Sequence, residues 1–438
     1  HLASGDTAAA EPLLWGALRL RDLLADKHRL APNYRDELAT SHDAIGQLYQ
    51  QQNEFEEAAS AFRDGLLIRE ELRNQFPDVP QYEVNFAASQ INLGYLYKDF
   101  ARYEEAADYF RTALEILSRV VQAQPDHVPY REHLAGVHHN LAVVLHLAKK
   151  YDEARAHCQQ CIAQRQAMLQ QAPESDAQRD ALAGSFALLA EIEQDDGRLT
   201  EALDAYREVV ALRKPLAVAG GPRRFALSLG ESYGRVGTLE ATLGDFAAAR
   251  KSLEGAIDAL APLVTADSAE GPALQLLQMA HVAHSQMCDE LHDPDAAVAD
   301  WDAMLQLASQ DETPLLRLRR AASLARGGRH PAAASAAQEI AGRDVANAQP
   351  RWRFEAACVL SLSAAAAEQD DALAPHEQKQ IAQGYLDDAV ALIKLLHAAG
   401  QFDDAIPLEQ LRSHPDLVRL LAYPPMQTLL ADLESVST

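Results

Sequence analysis

At 438 residues with 64 Asp+Glu against 39 Lys+Arg, a formal charge of −25, the chain lacks the cationic excess that a general nucleic-acid or anionic-membrane binder needs. Four cysteines (Cys158, Cys161, Cys288 and Cys358) are too few for a disulfide framework and point to a reducing compartment, expected to be the cytoplasm. No apolar run approaches the roughly 18 residues of a membrane span, and residues 1–5 carry neither an initiator Met nor a signal-peptide core, which suggests a piece of a larger protein.

Residues 8–29 have the pattern of a second helix whose hairpin partner is missing. Counting back 48 positions from Ala58, Phe62 and Leu66 lands on Ala10, Leu14 and Leu18, while Pro80 and Tyr82 fall on Pro32 and Tyr34. The apolar face of this helix (Leu14, Trp15, Leu18, Leu20) is therefore expected to be partly uncovered. Residues 1–33 form a truncated first repeat on this reading. From residue 34 a longer pattern takes over. Ala58, Ala106, Ala154, Ala202, Ala249 and Ala297 follow one another at 48, 48, 48, 47 and 48 residues. Three positions before them stand Phe55, Tyr103, Tyr151, Leu199, Phe246 and Pro294; four positions after, Phe62, Phe110, Cys158, Tyr206, Leu253 and Trp301. Twelve before lie the small residues Gly46, Gly94, Ala142, Ala190, Gly237 and Ser285. A period of this length is the mark of a stacked repeat array.

Within one period, Pro80 suits a first helical residue, and Phe86, Ile91, Leu93, Leu96 and Tyr97 recur at helical spacing. A break at Phe100-Ala101-Arg102 precedes a second helix carrying Ala106, Phe110, Ala113, Leu117 and Val121, which ends before Pro125. Each period is thus a helix-turn-helix hairpin, with Gly94 and Ala106 allowing close approach beside Phe110 and Tyr97. Six such hairpins are expected over 34–312. A shorter one follows over 313–348, because Ala333 comes only 36 residues after Ala297. The remainder, 349–438, is expected to hold a hairpin of 351–368 and 379–399 across a polar 369–378 joint, then short helices at 415–421 and 425–433.

The runs Asn92-Leu93-Gly94-Tyr95-Leu96-Tyr97, Tyr103-Glu104-Glu105-Ala106 and Phe110-Arg111-Thr112-Ala113-Leu114 resemble the tetratricopeptide repeat (TPR), whose usual length is about 34 residues. The longer period predicts helices extended by about two turns each. The resemblance implies an all-α fold, a right-handed superhelical α-solenoid of hairpins without a single central core. The tail segments Tyr385-Leu386-Asp387-Asp388-Ala389-Val390, Leu411-Arg412-Ser413-His414-Pro415-Asp416-Leu417 and Met426-Gln427-Thr428-Leu429-Leu430, with the joint Phe76-Pro77-Asp78-Val79-Pro80-Gln81-Tyr82, look like those of bacterial serine/threonine protein kinases that carry long C-terminal TPR arrays. That likeness implies a kinase domain upstream in the parent, not in this chain.

The motifs of catalysis are missing. There is no kinase glycine-rich loop, H-R-D or D-F-G; Gly244-Asp245-Phe246 is the joint of a repeat, and neither G-x-x-x-x-G-K-[ST] nor G-x-S-x-G occurs. No catalytic residue, cofactor or metal site is assigned. Cys158-x-x-Cys161 with His138, His139 and His157 could suggest a metal or redox pair, but the two cysteines take the packing positions of Phe110 and Ala113 in the preceding repeat, where a buried Cys acts as a small hydrophobe.

In TPR proteins the first helices line a concave groove, and an Asn preceding the L-G pair often faces it. The resemblance places Asn92 and Asn140 there, between Ala44 and Leu188, and helical spacing adds Tyr95, Lys98, His139, Val143 and His146. Asp43 and Gln47 stand where a clamp for a C-terminal carboxylate would need basic or Asn residues. A basic stretch, Arg317, Arg319, Arg320, Arg326, Arg329, Arg343, Arg351 and Arg353 against Glu339 and Asp344, has a local charge of +6. It could receive an acidic or phosphorylated segment or neutralise the acidic faces of neighbouring repeats. The expected role is a non-catalytic scaffold for protein or peptide partners, including an upstream kinase domain or its substrates, with no nucleic acid and no membrane span. Its alternatives are a structural spacer or self-association module and an accessory array of another enzyme.

Overall fold

The computed structural model describes residues 7–28, 31–218, 220–264, 271–308, 312–342, 350–401 and 407–436, in which helices are the regular elements and no strand occurs. The chain divides into two units, His1–Leu216 and Ala217–Thr438. In the first, α1 (Thr7–Lys27) precedes four hairpins: α2 (Pro32–Gln51) with α3 (Phe55–Gln75), α4 (Pro80–Asp99) with α5 (Tyr103–Ala123), α6 (Val128–Leu147) with α7 (Tyr151–Gln171), and α8 (Asp176–Asp195) with α9 (Leu199–Arg213). The second holds α10 (Arg223–Thr242) with α11 (Phe246–Leu260), α12 (Pro272–Glu290) with α13 (Pro294–Leu307), α14 (Thr313–Arg326) with α15 (His330–Gly342), and α16 (Pro350–Glu368) with α17 (Pro375–Ala398). The short helices α18 (Leu408–Ser413), α19 (Val418–Leu421) and α20 (Pro424–Val436) close it. This is the all-α solenoid of paired helices that the repeat pattern predicts.

The turn inside the six hairpins from α2/α3 to α12/α13 is built the same way. One residue per repeat takes a left-handed backbone: Asn53, Ala101, Lys149, Gly197, Gly244 and His292, with φ between 57° and 86°. The next N–H then bonds a carbonyl five residues back, as Arg102 does to Tyr97 at 2.8 Å and Lys150 to Leu145 at 2.8 Å. That bond satisfies an orphan carbonyl at the end of the first helix.

Small residues set how close the two helices come. An ideal Cβ on Gly94 would lie 2.6 Å from the Phe110 ring, one on Gly46 2.8 Å from Phe62, and one on Gly237 2.7 Å from Leu253. The six repeat alanines are all fully buried. Between hairpins of the first unit a polar staple recurs: Arg21 donates to Ser41 Oγ (2.7 Å), Arg69 to Ser89 Oγ (2.6 Å) and Arg165 to Ser185 Oγ (2.6 Å). At the one intervening register both partners change together, to Leu117 and Val137, and both are buried in the apolar core. Removing only one member of such a pair would strand a buried polar group.

Helix lengths depart from expectation in part. Whereas α3, α5 and α7 run 21 residues, α9 and α11 stop at 15. Pro215 and Pro262 follow within two residues of their ends and cannot continue the ladder. At the far end α17 starts at Pro375 rather than 379, because Glu377 accepts the Ala374 N–H at 2.9 Å and caps a proline-led first turn. The expected 415–421 helix is a 3₁₀ turn, Pro415–Leu417, followed by α19. The first helices also touch directly, α2 with α4, α4 with α6 and α6 with α8, so their exposed sides form one continuous face.

Two outcomes follow for stability. Gly94→Val is expected to lower it by about 1–3 kcal/mol through overpacking on Phe110, with Phe110→Leu restoring part of the loss in a double-mutant cycle read by urea unfolding. Ala101→Gly is expected to gain about 0.5–1 kcal/mol by relieving a left-handed non-glycine residue, visible as a higher melting temperature.

Candidate partner-binding face

On the face made by the first helices, side chains pair across neighbouring hairpins at a separation close to one repeat. Asn85 Nδ2 donates to Asp36 (2.9 Å), Gln50 Nε2 to Asp99 Oδ2 (2.6 Å), Gln178 Nε2 to Glu132 Oε1 (2.6 Å), and His146 Nε2 lies 2.8 Å from Asp195 Oδ2. One pair stands out in chemistry. Asn140 Nδ2 donates to the Tyr95 hydroxyl at 2.9 Å, so an exposed ring bridges α4 and α6. Its ring meets Phe110 edge-on, with centroids 5.6 Å apart, and Lys98 Nζ sits 5.4 Å from its centroid. An aromatic body fixed from below, with an amide and an ammonium beside it, can take a flat apolar group and hydrogen-bond a backbone at once.

Other expected members lie elsewhere. Asn92 is held beside Asp43, whose carboxyl is pushed up by burial and pulled down by Arg69 and Asn92; Asp43 is itself buried and 2.5 Å from Arg69. Val143 packs on the core. His139 is partly buried near Arg165, and its Nδ1 has no hydrogen-bond partner among the described residues. The contiguous group is therefore Tyr95, Lys98 and Asn140, with His146 in a lateral pair of its own.

Three segments that carry most of this face, residues 38–78, 86–129 and 135–173, match the tetratricopeptide repeat family. Three TPR units are present here. Solved structures that resemble the chain include BtubC (BKLC) from P. vanneervenii, at 18% identity over 59% of this chain and 92% of that one with a TM-score of 0.47. The apo form of RapI is 10% identical over 91% and 98%, with a TM-score of 0.47. A Podosopora anserina putative kinesin light chain with nearly identical TPR-like repeats is 20% identical over 52% and 97%, with a TM-score of 0.41. No curated protein matches the sequence. No described helix is long and apolar enough to cross a membrane.

The cysteine pair of the third TPR unit is packing material. Cys158 Sγ donates to the Ser185 carbonyl at 3.2 Å and Cys161 Sγ lies 3.4 Å from Ser185 Oγ; burial pushes the Cys158 thiol up to about 12, away from the thiolate that metal or redox chemistry uses. His138 and His157 face each other at 3.1 Å between ring Nδ1 atoms.

In the second unit the basic stretch is tied to carboxylates. Arg317 forks onto Glu339 (2.7 and 3.2 Å), Arg320 onto Asp302 (2.6 and 3.2 Å), and Arg329 reaches Asp295 (2.8 Å). Arg326 joins Asp289 (2.5 Å) to Asp416 (2.8 Å) on the wall of an open groove of about 810 Å³. Arg319 stands 5.7 Å from the Trp301 ring centroid, Arg351 is exposed and Arg353 is buried. Arg343 lies outside the described residues. On α1, Leu13, Leu20 and Leu23 are about 60% exposed and Trp15 is 43% exposed, while Leu14 and Leu18 are half-covered.

Acid should loosen the third TPR unit. Burial holds His138 down to about 4, helped by His157, and His139 down to about 4, helped by Arg165. Their folded values lie below the unfolded value near 6.5, so unfolded chains take up protons that the fold refuses, and stability falls as pH drops from about 6.5 towards 4. His139→Leu is expected to remove about 1–2 kcal/mol of the stability lost between pH 7 and pH 5, read as a flatter dependence of the urea midpoint on pH.

Proposed function

We propose that the first unit is a non-catalytic protein-interaction scaffold that holds an extended peptide segment along the first-helix face of its TPR hairpins. The observation that carries this is the Tyr95–Asn140 bridge. Most polar groups around it are used in pairs between hairpins, whereas the Tyr95 ring stays 39% exposed, with the Lys98 cation alongside. Repeats of this kind expose such a face because each hairpin buries its other sides on its neighbours. Contacts through amides and an aromatic plane favour backbone and flat apolar groups over one particular sequence. The partner is a protein or peptide in the cytoplasm. Kinase parentage of the longer protein rests on the tail and joint residues that resemble serine/threonine kinases with TPR arrays, and it names the upstream catalytic domain and its substrates as the partners to try first.

A second reading, a spacer or self-association module, draws on the exposed leucines of α1. The two separate in one experiment. A displayed library of unstructured peptides is selected on the full chain, and affinities of the recovered peptides are measured by titration calorimetry. Tyr95→Ala and Asn140→Ala are expected to weaken binding at least about tenfold, or ~1.4 kcal/mol, while Glu115→Ala on the exposed side of α5 leaves it unchanged. Equal affinity for all variants would refute the groove. A mass that rises with concentration and reverts in Leu20→Glu/Leu23→Glu would support self-association instead.

A further inference from the structure

The α12/α13 hairpin departs from its relatives at the seam between its two helices. In the other hairpins the positions matching His284 and Cys288 hold apolar residues or a paired acid: Leu93 and Tyr97, Leu141 and Leu145, Val236 and Glu240. Here that seam carries two histidines, a cysteine and an aspartate. His284 and Cys288 stand one turn apart on α12, and Asp300 faces them from α13. Their ligand atoms all lie within 4.8 Å of one another, and all three residues are buried.

The distances suit a small tetrahedral site. Bonds of about 2.0–2.3 Å to N, O and S place ligand atoms roughly 3.3–3.8 Å apart. With His284 Nδ1 as the ligand nitrogen, Cys288 Sγ lies 3.7 Å away, while Nε2, on the far side of the ring, is 3.5 Å from Glu254 Oε1. Only the contact between His284 Nδ1 and Asp300 Oδ2, at 2.6 Å, is a hydrogen bond that must open, by roughly an ångström on the same geometry. Asp300 is itself anchored: its other oxygen, Oδ1, lies 2.8 Å from His281 Nδ1. A ligand carboxylate steadied by a neighbouring imidazole is a recurrent arrangement around bound metals. Charge also fits. A thiolate at Cys288 and the Asp300 carboxylate would cancel the two charges of the ion, so no net charge is buried. Arg250, whose charge is felt at Cys288, is occupied by Asp293 (3.0 Å) and Glu254 (3.2 Å). Glu254 is half-exposed and faces His284 Nε2, a carboxylate beside the non-ligating ring nitrogen, which leaves the fourth ligand position to a water.

We propose that His284 (through Nδ1), Cys288 and Asp300, with a water as fourth ligand and His281 as the positioning residue, bind one zinc-type divalent ion that clasps α12 to α13. The mixed sulfur, nitrogen and oxygen set favours zinc over magnesium or calcium, which take oxygen alone. On binding, Cys288 gives its thiol proton to solvent, the His284 Nδ1 proton now shared with Asp300 also leaves to solvent, and the ion takes the two lone pairs set free. The site is separate from the peptide face and stands or falls without it.

The full chain, stripped with a chelator and dialysed, is titrated with Co²⁺ as a spectroscopic probe and then with Zn²⁺. One ion per chain is expected, with a thiolate-to-cobalt charge-transfer band that zinc abolishes by displacement and a higher melting temperature in zinc. Cys288→Ser is expected to lose the band, and Asp300→Asn to weaken binding at least tenfold, both with wild-type helical circular dichroism. His281→Gln should retain the band at roughly 10- to 100-fold lower affinity. If either ligand variant fails to fold, Cys288→Ala and Asp300→Ser replace it, with the same losses expected. A folded wild type without the band, a melting temperature indifferent to zinc, or a band that survives in Cys288→Ser and vanishes in Cys158→Ser would each overturn the site and leave the histidines and aspartate as a buried ion-pair cluster.

Discussion

The structure depends on how closely two helix backbones can approach within a hairpin. That distance is set by a pair of positions sixteen residues apart: Gly46 and Phe62, Gly94 and Phe110, Gly237 and Leu253. There the ring or branched chain of the second helix lies where the Cβ of the first would be. Closeness gives each hairpin a dense seam, and a dense seam makes it a rigid unit that can stack. Where the small residue grows, its partner changes too. Ala142 stands against Cys158, and Ser285 against Trp301. Interiors near crystal density tolerate paired changes better than single ones.

A second level of order joins one hairpin to the next. The staple from arginine to serine sits at a fixed place in the repeat, and its replacement by Leu117 and Val137 preserves a satisfied interior by the opposite chemistry. Charged partners inside a stack are costly to orphan and cheap to delete together. That asymmetry accounts for the joint change better than any requirement for a charge at that site. The same economy governs the arginines of the second unit. Sequence places them as a +6 stretch, but several of them answer carboxylates on the helices beside them, which leaves less free charge than the count suggests.

Function in such a stack belongs to whatever the pairing leaves over. Lateral pairs such as Gln50 with Asp99 and His146 with Asp195 consume the polar groups of the first-helix face and hold successive hairpins in register. Tyr95 is the exception, because its hydroxyl is satisfied by Asn140 while its ring remains open to solvent. The α12/α13 seam is an exception of another kind, where the positions that elsewhere fill space carry groups that can ligate.

Much of this was legible in the sequence because repeats, proline breaks and glycine–aromatic spacings are local or periodic, and local geometry is what φ/ψ preferences and helical periodicity encode. The hairpin joints at 100–102 and 244–245, the role of Gly94, and the packing role of Cys158 and Cys161 are all of this type. Tertiary structure alone decided which side chains meet across helices. Asn92 and Asn140 are equivalent in the repeat, yet one is drawn to buried Asp43 and the other to Tyr95, because their neighbours one repeat away differ. His284, Cys288 and Asp300 are spread over seventeen residues and two helices; their convergence follows from helix rotation about the seam, which spacing along a single helix does not specify.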